Sequence, residues 1–225
     1  MMTLQGGQDA KVELVLFDLD GTLIDSKVDI ANSVNYTLRD LALPQRSLEE
    51  IFSFVGDGVK RLLRLSVGED NLELYERALR IFREHYLTHC LDTTTFYPEM
   101  GEILSHLNGQ GQCAIVTNKT MEYTMEIVKG LGAIESFSAI ESPRNSSDLK
   151  PDPGMLLRVL EKLAISPERT IMVGDSTNDV RAAQAIGVKV CAVGYGYGNP
   201  EKVKALKPDF YCEQPTDLRH LLVGS

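Results

Sequence analysis

The stretch Val15-Leu16-Phe17-Asp18-Leu19-Asp20-Gly21-Thr22-Leu23 decides the fold of this 225-residue chain. Its apolar run, Leu14 to Phe17, is typical of a strand that is buried on both faces of a parallel sheet. The run ends in two carboxylates, Asp18 and Asp20, whose two-residue spacing lets both side chains face the same way. Because ligands bind at the carboxyl ends of strands in open α/β sheets, the sequence predicts a site here.

The two neighbouring carboxylates predict a bound cation. They repel each other and are costly to remove from water, and a cation relieves both penalties. Hard oxygen ligands suit Mg²⁺, and with it in place one carboxylate can attack a substrate while the other transfers protons. Asp-Gly-Thr is also a common turn sequence, so this segment alone does not distinguish a metal site from a turn.

A second apolar run, Ile171-Met172-Val173, also ends in acids: Gly174-Asp175 follows directly, and Asp179 comes four residues later. If the two strands are neighbours, Asp175 lies within reach of Asp18. Asp179 falls in the first turn of the next helix, where an acid also stabilises the helix N-terminus. Two strand ends that carry acids favour a metal site over a chance turn.

Two other segments carry groups that suit a phosphate. A strand over residues 113–116 ends in Thr117-Asn118, whose hydroxyl, amide and backbone N–H groups can hold phosphate oxygens. Lys150 precedes Pro151, which biases it toward extended backbone. The ordinary alternatives are a plain strand end for Thr117 and an exposed surface lysine for Lys150.

In this order the four segments resemble the haloacid dehalogenase superfamily over about residues 12 to 223. The resemblance implies that Asp18 is a nucleophile that forms an aspartyl-phosphate. It implies that Asp20 is the general acid and base, with a backbone carbonyl that binds Mg²⁺ alongside Asp18. It further implies that Asp175 binds Mg²⁺ directly and that Asp179 supports the site.

The same resemblance implies that Thr117, Asn118 and Lys150 bind the phosphoryl group, and that Lys150 also screens Asp18 from Asp175. These roles make physical sense, because phosphoryl transfer depends mainly on positioning and on neutralising charge.

The remaining pattern predicts a doubly wound, Rossmann-like parallel sheet with an inserted α-helical cap domain. Strand and helix patterns alternate after Tyr97, whereas residues 26–95 show only helical periodicity. Two apolar faces at helical spacing predict the packing of that segment: Ile30, Val34, Leu38 and Leu41 in one helix, and the stripe Leu72, Tyr75, Leu79, Phe82 and Tyr86 in another. We therefore expect a core domain over residues 11–25 and 96–225, a cap over 26–95, and a disordered tail over 1–10.

One cap segment, Gly56-Asp57-Gly58, interrupts a helical pattern and is followed by Lys60 and Arg61. It is either a simple turn with solvated basic residues or a loop over the active site, in which Arg61 or Lys60 meets a substrate anion. With Val55 before it, this segment reads Val-Gly-x-Gly, and together with three other short motifs it resembles phosphoglycolate phosphatases. The other motifs are Tyr97-Pro98, Thr117-Asn118-Lys119 and Tyr195-Gly196-Tyr197-Gly198.

The composition of the chain limits the classes of partner that we expect it to bind. A net charge of −9 argues against nucleic acid, and no apolar run approaches membrane-spanning length. The four cysteines show neither metal-site spacing nor a disulfide framework, which fits a cytoplasmic protein. We therefore expect a monomer or homodimer that hydrolyses a small phosphate ester such as 2-phosphoglycolate with Mg²⁺. The alternatives are a phosphosugar mutase of the β-phosphoglucomutase type and a non-catalytic binding or regulatory protein.

Overall fold

The computed structural model describes residues 2–3, 11–68 and 72–224. The strands within these residues are β1 (Met2–Thr3), β2 (Lys11–Val12), β3 (Leu14–Phe17), β4 (Ile24–Asp25), β5 (Thr95–Phe96), β6 (Gln112–Val116), β7 (Ala139–Glu141), β8 (Thr170–Gly174), β9 (Lys189–Val193) and β10 (Phe210–Cys212). Six of them form one parallel sheet in the order β10-β9-β8-β3-β6-β7, which confirms the predicted doubly wound architecture.

Helices connect these strands and also fill the segment between β4 and β5. They are α1 (Lys27–Asp40), α2 (Leu48–Phe52), α3 (Val59–Val67), α4 (Leu72–His89), α5 (Met100–Leu107), α6 (Met121–Gly130), α7 (Gly154–Leu163), α8 (Thr177–Gln184), α9 (Pro200–Ala205) and α10 (Pro215–Val223). Short 3₁₀ turns lie at Ile134–Ser136 and Pro167–Arg169. None of the helices in the described part of the chain has the length and apolarity needed to cross a membrane.

The sheet is buried because alternate residues of each strand face opposite layers of helices. In β3, Val15 and Phe17 pack in the cluster that includes α5, α6 and α10, whereas Leu14 and Leu16 pack against α7, α8 and α9. All four side chains are at most 2% exposed. The central strand is therefore held from both sides, and its carboxyl end has a fixed position.

Helices α1 to α4, which we call the helical cap, form the inserted segment. Three residues of the predicted apolar face of α1 are buried, namely Ile30, Val34 and Leu38, while Leu41 lies just past the end of the helix and is half-buried. Most of the predicted stripe of α4 is also buried, but Leu72 is 67% exposed because it lies at the first residue of the helix. Two linkers join this cap to the rest of the chain.

These linkers are β4 and β5, which pair antiparallel and lie next to the boundaries that we predicted for the cap. The carboxylate of Asp29, at the start of α1, ties them together. It accepts hydrogen bonds from the backbone N–H and hydroxyl groups of Thr93 and Thr94, at distances of 2.6–3.0 Å. At the N-terminus, β1 pairs with β2, and the other residues of the predicted disordered tail lie outside the described residues.

Candidate active site

Strand β3 lies between β6 and β8, and this arrangement brings three of the predicted segments together. Phe17 is in register with Ile115 of β6 and Val173 of β8. The N–H of Asp18 continues the ladder by donating to the Val173 carbonyl at 2.9 Å. Asp18 therefore lies at the same edge of the sheet as the residues that follow β6 and β8, namely Thr117 and Asp175.

Three carboxylates meet at this edge. Asp18, Asp175 and Asp179 each place an oxygen within 4.8 Å of the others. The two from the β8 side are buried, at 4% and 0% exposure, while the Asp18 side chain is 14% exposed. Burial raises the pKa of Asp18 to about 7 against the opposing effect of Lys150, and burial with the charge of Asp179 raises the pKa of Asp175 to about 6. Such a desolvated cluster of hard oxygens fits a divalent cation.

Lys150 supplies positive charge inside this cluster. Its ammonium lies 3.0 Å from Asp18 Oδ1 and donates to Asp179 Oδ1 at 2.6 Å and to the Val116 carbonyl at 2.7 Å. Burial alone lowers the pKa of Lys150, but the charges of Asp179 and Asp18 more than reverse this and raise it. The predicted lysine is therefore a buried, charged member of the site, and the surface-lysine alternative is wrong.

Asp179 and Asp175 are each oriented by hydrogen bonds. Asp179 accepts from the N–H and hydroxyl of Ser176 and completes a capping box at the start of α8, so it serves the helix and the site together. Asp175 accepts from the backbone N–H groups of Tyr197 and Gly198, at 2.7 and 3.0 Å. These contacts hold both carboxylates toward Lys150 and Asp18.

The turn after β3 requires a glycine at position 21, because of both its backbone angle and its close contact with Asp175. Its φ of +81° is in the left-handed region, and a Cβ there would lie 2.6 Å from an Asp175 carboxylate oxygen. A side chain at this position would therefore push against the acid cluster as well as strain the turn.

The side chain of Asp20 lies apart from the three-carboxylate cluster and binds a second lysine. Lys119 Nζ donates to both of its oxygens at 2.9 Å, and the hydroxyl of Ser26 donates to Oδ1. The Asp20 side chain is 15% exposed, and together with Asp18 it lines a pocket between the strand ends and the helical cap. The Asp20 carboxylate therefore belongs to the pocket but not to the three-carboxylate cluster, and its role in proton transfer stays a prediction.

The two residues that follow β6 have different surroundings. Thr117 is buried, lines the pocket and accepts a hydrogen bond from the Lys119 N–H. The Asn118 amide instead bonds to the N–H and carbonyl of Lys150 and to the Gly56 carbonyl of the cap. Its side chain therefore fixes neighbouring segments, and its direct contact with substrate stays a prediction.

The active-site pocket lies between the strand ends and the helical cap. Its lining includes Asp18, Asp20, Thr117, Lys119, Asp175 and Tyr197 from the strand-end segments, and Ile30, Val55, Gly56, Gly58, Val59, Leu62, Phe82 and Tyr86 from the cap. Two of the predicted stripe residues of α4 thus also face the site.

The Gly56–Gly58 turn lies at this pocket, but Arg61 does not line it. Arg61 Nε pairs with Asp57 Oδ2 at 3.0 Å, and its side chain is 61% exposed. Asp57 also accepts a hydrogen bond from Asn178 of α8. The contact of Arg61 with a substrate anion stays a prediction that this arrangement does not favour.

Three residues of the site carried no predicted role: Lys119, Tyr197 and Ser26. The Tyr197 hydroxyl accepts from the backbone N–H groups of Ser26 and Lys27, at 2.7 and 3.1 Å, while its own N–H holds Asp175. Two features of the sequence point to Lys119: it directly follows the strand-end pair Thr117-Asn118, and it belongs to one of the motifs that resemble phosphoglycolate phosphatases.

Comparison with known proteins agrees with this geometry. The family described as haloacid dehalogenase-like hydrolase matches residues 15–193. The chain is 32% identical over 216 residues to a phosphoglycolate phosphatase of Nitrosococcus oceani, covering 93% of this chain and 96% of that protein. It is 38% identical to one from Chromobacterium violaceum, covering 86% and 90%.

A solved structure of a predicted phosphoglycolate phosphatase from Haemophilus somnus superposes with a TM-score of 0.87 at 29% identity, covering 94% of this chain and 98% of that one. The chain is therefore a hydrolase of the haloacid dehalogenase-like family and, within it, resembles phosphoglycolate phosphatases.

Proposed function

We propose that this protein is a Mg²⁺-dependent phosphatase that hydrolyses a small phosphate monoester, 2-phosphoglycolate or a close analogue, through an aspartyl-phosphate on Asp18. The observation that carries the proposal is the position of Asp18, a partly exposed carboxylate at 3.0 Å from the Lys150 ammonium. It is the most exposed member of the acid cluster, and it faces the active-site pocket. A carboxylate nucleophile next to fixed positive charge is what phosphoryl transfer needs.

We assign a residue to each step of the proposed reaction. An Asp18 oxygen attacks phosphorus, the bond from phosphorus to the ester oxygen breaks, and the leaving oxygen takes a proton from Asp20. Asp20 then takes a proton from water, whose oxygen attacks the phosphoryl group and releases phosphate from Asp18. Lys150 neutralises charge near the attacked group, and the Thr117 hydroxyl lies in the same pocket to bind a phosphoryl oxygen.

The metal would be held by the carboxylates of Asp18 and Asp175 and by the backbone carbonyl of Asp20, with Asp179 holding Lys150 beside them. When bound, Mg²⁺ supplies additional positive charge for the phosphoryl oxygens. The support for this assignment is the close approach of three carboxylates, two of them buried. Burial raises the pKa of Asp18 and of Asp175, so their ionised forms are disfavoured there without a cation.

A small substrate is supported by the names of the relatives and by the cap. Ile30, Phe82 and Leu62 bring bulky apolar side chains to the pocket, which leaves few polar partners for the several hydroxyl groups of a sugar. For the same reason we favour hydrolysis over the mutase alternative. We further propose a cytoplasmic location, which the four unpaired, buried cysteines support.

A phosphate-release panel tests this proposal. The purified protein is assayed with 2-phosphoglycolate, glycerol phosphate and glucose 1-phosphate, in Mg²⁺ and in excess chelator. We expect phosphate release that requires Mg²⁺ and is fastest with 2-phosphoglycolate, and no release by the Asp18→Asn variant. Full activity in chelator would contradict the metal assignment. Isomerised sugar phosphate without phosphate release would indicate a mutase.

A further inference from the structure

Lys119 is a buried cation whose role the reaction scheme leaves open. Its side chain is 6% exposed, and among the described residues that line the active-site pocket it is the one with a basic side chain. Lys150 lies deeper and is committed to Asp18, Asp179 and the Val116 carbonyl. Burying a lysine at a pocket is costly unless it has an anionic partner, so its partners are informative.

In this structure the partner of Lys119 is Asp20, with both carboxylate oxygens at 2.9 Å from Nζ. Asp20 is the residue that gives its proton to the leaving oxygen in the proposed reaction. The leaving group of the ester must therefore be next to Asp20, which brings it next to Lys119 as well. Whatever anion the leaving group carries will be close to this ammonium.

A second polar group lies beside Lys119 without a partner. The hydroxyl of Tyr86 is buried, and it has no hydrogen-bond partner among the described residues. Tyr86 lines the same pocket, is 1% exposed, and its ring centroid lies 4.9 Å from Lys119 Nζ. A buried hydroxyl that is left unpaired costs free energy, and a ligand oxygen would remove that cost.

We propose that Lys119 and Tyr86 form the subsite that recognises a carboxylate on the leaving group of the substrate. This assignment rests on the proposed phosphatase function and gives its substrate class: small phosphate esters with an anionic leaving group. Lys119 forms the charge-assisted contact, and the Tyr86 hydroxyl donates a hydrogen bond. The subsite takes the role that the sequence suggested for Arg61, whose guanidinium instead pairs with Asp57.

A matched pair of substrates isolates the carboxylate. 2-Phosphoglycolate and 2-hydroxyethyl phosphate have the same phosphate and similar size, but only the first carries a carboxylate. The quantity measured is the ratio of kcat/KM for the first substrate to that for the second. Because Lys119 also contacts Asp20, its removal can slow both reactions, and the ratio separates carboxylate recognition from a general loss of activity.

We expect Lys119→Met to lower this ratio about 10- to 100-fold, the effect of one charge-assisted contact. Lys119→Arg, which keeps the charge, should retain most of the ratio, and Tyr86→Phe should lower it about 3- to 10-fold. The matched control is Lys129→Met, because Lys129 is an exposed lysine on α6 and should leave the ratio unchanged.

A direct binding measurement guards against a change in the rate-limiting step. In the Asp18→Asn background, which binds but does not turn over, titration calorimetry with 2-phosphoglycolate should show weaker affinity when Lys119→Met is added. Circular dichroism establishes that each variant is folded. If Lys119→Met does not fold, Tyr86→Phe and Lys119→Arg still test the subsite.

The outcomes distinguish this assignment from the proposed function. If the wild-type enzyme favours 2-phosphoglycolate, and Lys119→Met and Tyr86→Phe have the same kcat/KM ratio as wild type, the subsite assignment is wrong. The proposed phosphatase function would still stand. If Arg61→Met lowers the kcat/KM ratio and the other variants do not, the substrate carboxylate binds at Arg61 in the cap, and the proposed subsite is wrong. A wild-type enzyme without preference for the carboxylate ester would overturn both the substrate class and the subsite.

Discussion

At the scale of single residues, Lys150 explains how three carboxylates share one buried edge of the sheet. It reaches two of them and a backbone carbonyl, with donor–acceptor distances of 2.6–3.0 Å. Removing a buried charge from such a network leaves its partners unpaired, which costs about 3–5 kcal/mol. Asp18 differs from the other two acids because its side chain is the most exposed of the three, at 14%, and it lines the active-site pocket. Its chemistry can therefore be tested without dismantling the network.

Asp18→Asn tests the nucleophile. The amide has the same shape as the carboxylate but is a poor attacking group, so we expect turnover to fall by about 10⁴-fold or more. The fold should be preserved, as judged by circular dichroism. After a rapid acid quench with radiolabelled substrate, wild-type protein should carry labelled phosphate and the variant none. Mass spectrometry checks that the asparagine has not deamidated, and substantial turnover in intact variant would rule out covalent catalysis by Asp18.

The sequence predicts the acids better than it predicts their partners. Asp18 and Asp175 directly follow apolar strands, and in a parallel sheet such residues must meet at one edge if their strands are adjacent. The contact between Lys119 and Asp20 joins residues 99 positions apart, and it depends on the path of a long side chain. No periodicity encodes such a contact, so it had to come from the structure.

At the scale of elements, the linker pair β4–β5 connects the helical cap to the strand-end site. Tyr197 holds Asp175 through its backbone N–H, and its hydroxyl accepts hydrogen bonds from the N–H groups of Ser26 and Lys27 at the start of α1. Tyr197 thus links the cap to the carboxylate cluster, and the bond from Asn118 to the Gly56 carbonyl adds a second link from the strand ends to the cap. Asp29 fastens the same linkers from the cap side, with four donor groups directed at one buried carboxylate.

Asp29→Asn should destabilise this junction. The Asp29 carboxylate has two acceptor oxygens, whereas an asparagine has one, and its NH₂ group would face the donor groups of Thr93 and Thr94. Several hydrogen bonds are therefore lost in a buried position. We expect the free energy of unfolding to fall by about 2–4 kcal/mol, measured by urea denaturation.

The matched control is Asp40→Asn, at the exposed end of the same helix, which should stay within about 0.5 kcal/mol of wild type. Equal effects of the two substitutions would show that the linker clamp contributes little to stability.

At the scale of the whole molecule, the sequence predicted an α/β core with an inserted helical segment, and the alternation of helix and strand patterns was sufficient for this. The sequence did not predict that the turn of residues 56–58 lines the pocket while Arg61 lies outside it and pairs with Asp57. Gly58 has a φ of +84°, and a Cβ there would lie 3.3 Å from the Leu149 side chain, so the turn packs directly against the residue that precedes Lys150. The left-handed backbone and this close packing are the physical reasons for glycine at position 58.

The site should also govern how the stability of the molecule depends on pH and Mg²⁺. Burial raises the pKa of Asp18 to about 7 and that of Asp175 to about 6. The folded, metal-free protein therefore retains protons that the unfolded chain releases, and these groups make it lose stability as pH rises from about 4 to about 7. We expect Mg²⁺ to bind the ionised carboxylates, and it should therefore offset this loss at neutral pH and compete poorly with protons at pH values near 5.

Thermal unfolding with Mg²⁺ and with chelator, at about pH 5 and about pH 7.5, measures this linkage. With Mg²⁺ at about 100 times its dissociation constant, the stabilisation is about 2.7 kcal/mol, which raises Tm by about 5–10 °C for a chain of this size. We expect that increase at the higher pH and a much smaller one at the lower pH. Comparing Tm with and without metal at each pH removes the contribution of other titrating groups. Asp175→Asn should abolish most of the increase, whereas an equal Mg²⁺ effect at both pH values would show that the buried carboxylates do not bind the metal.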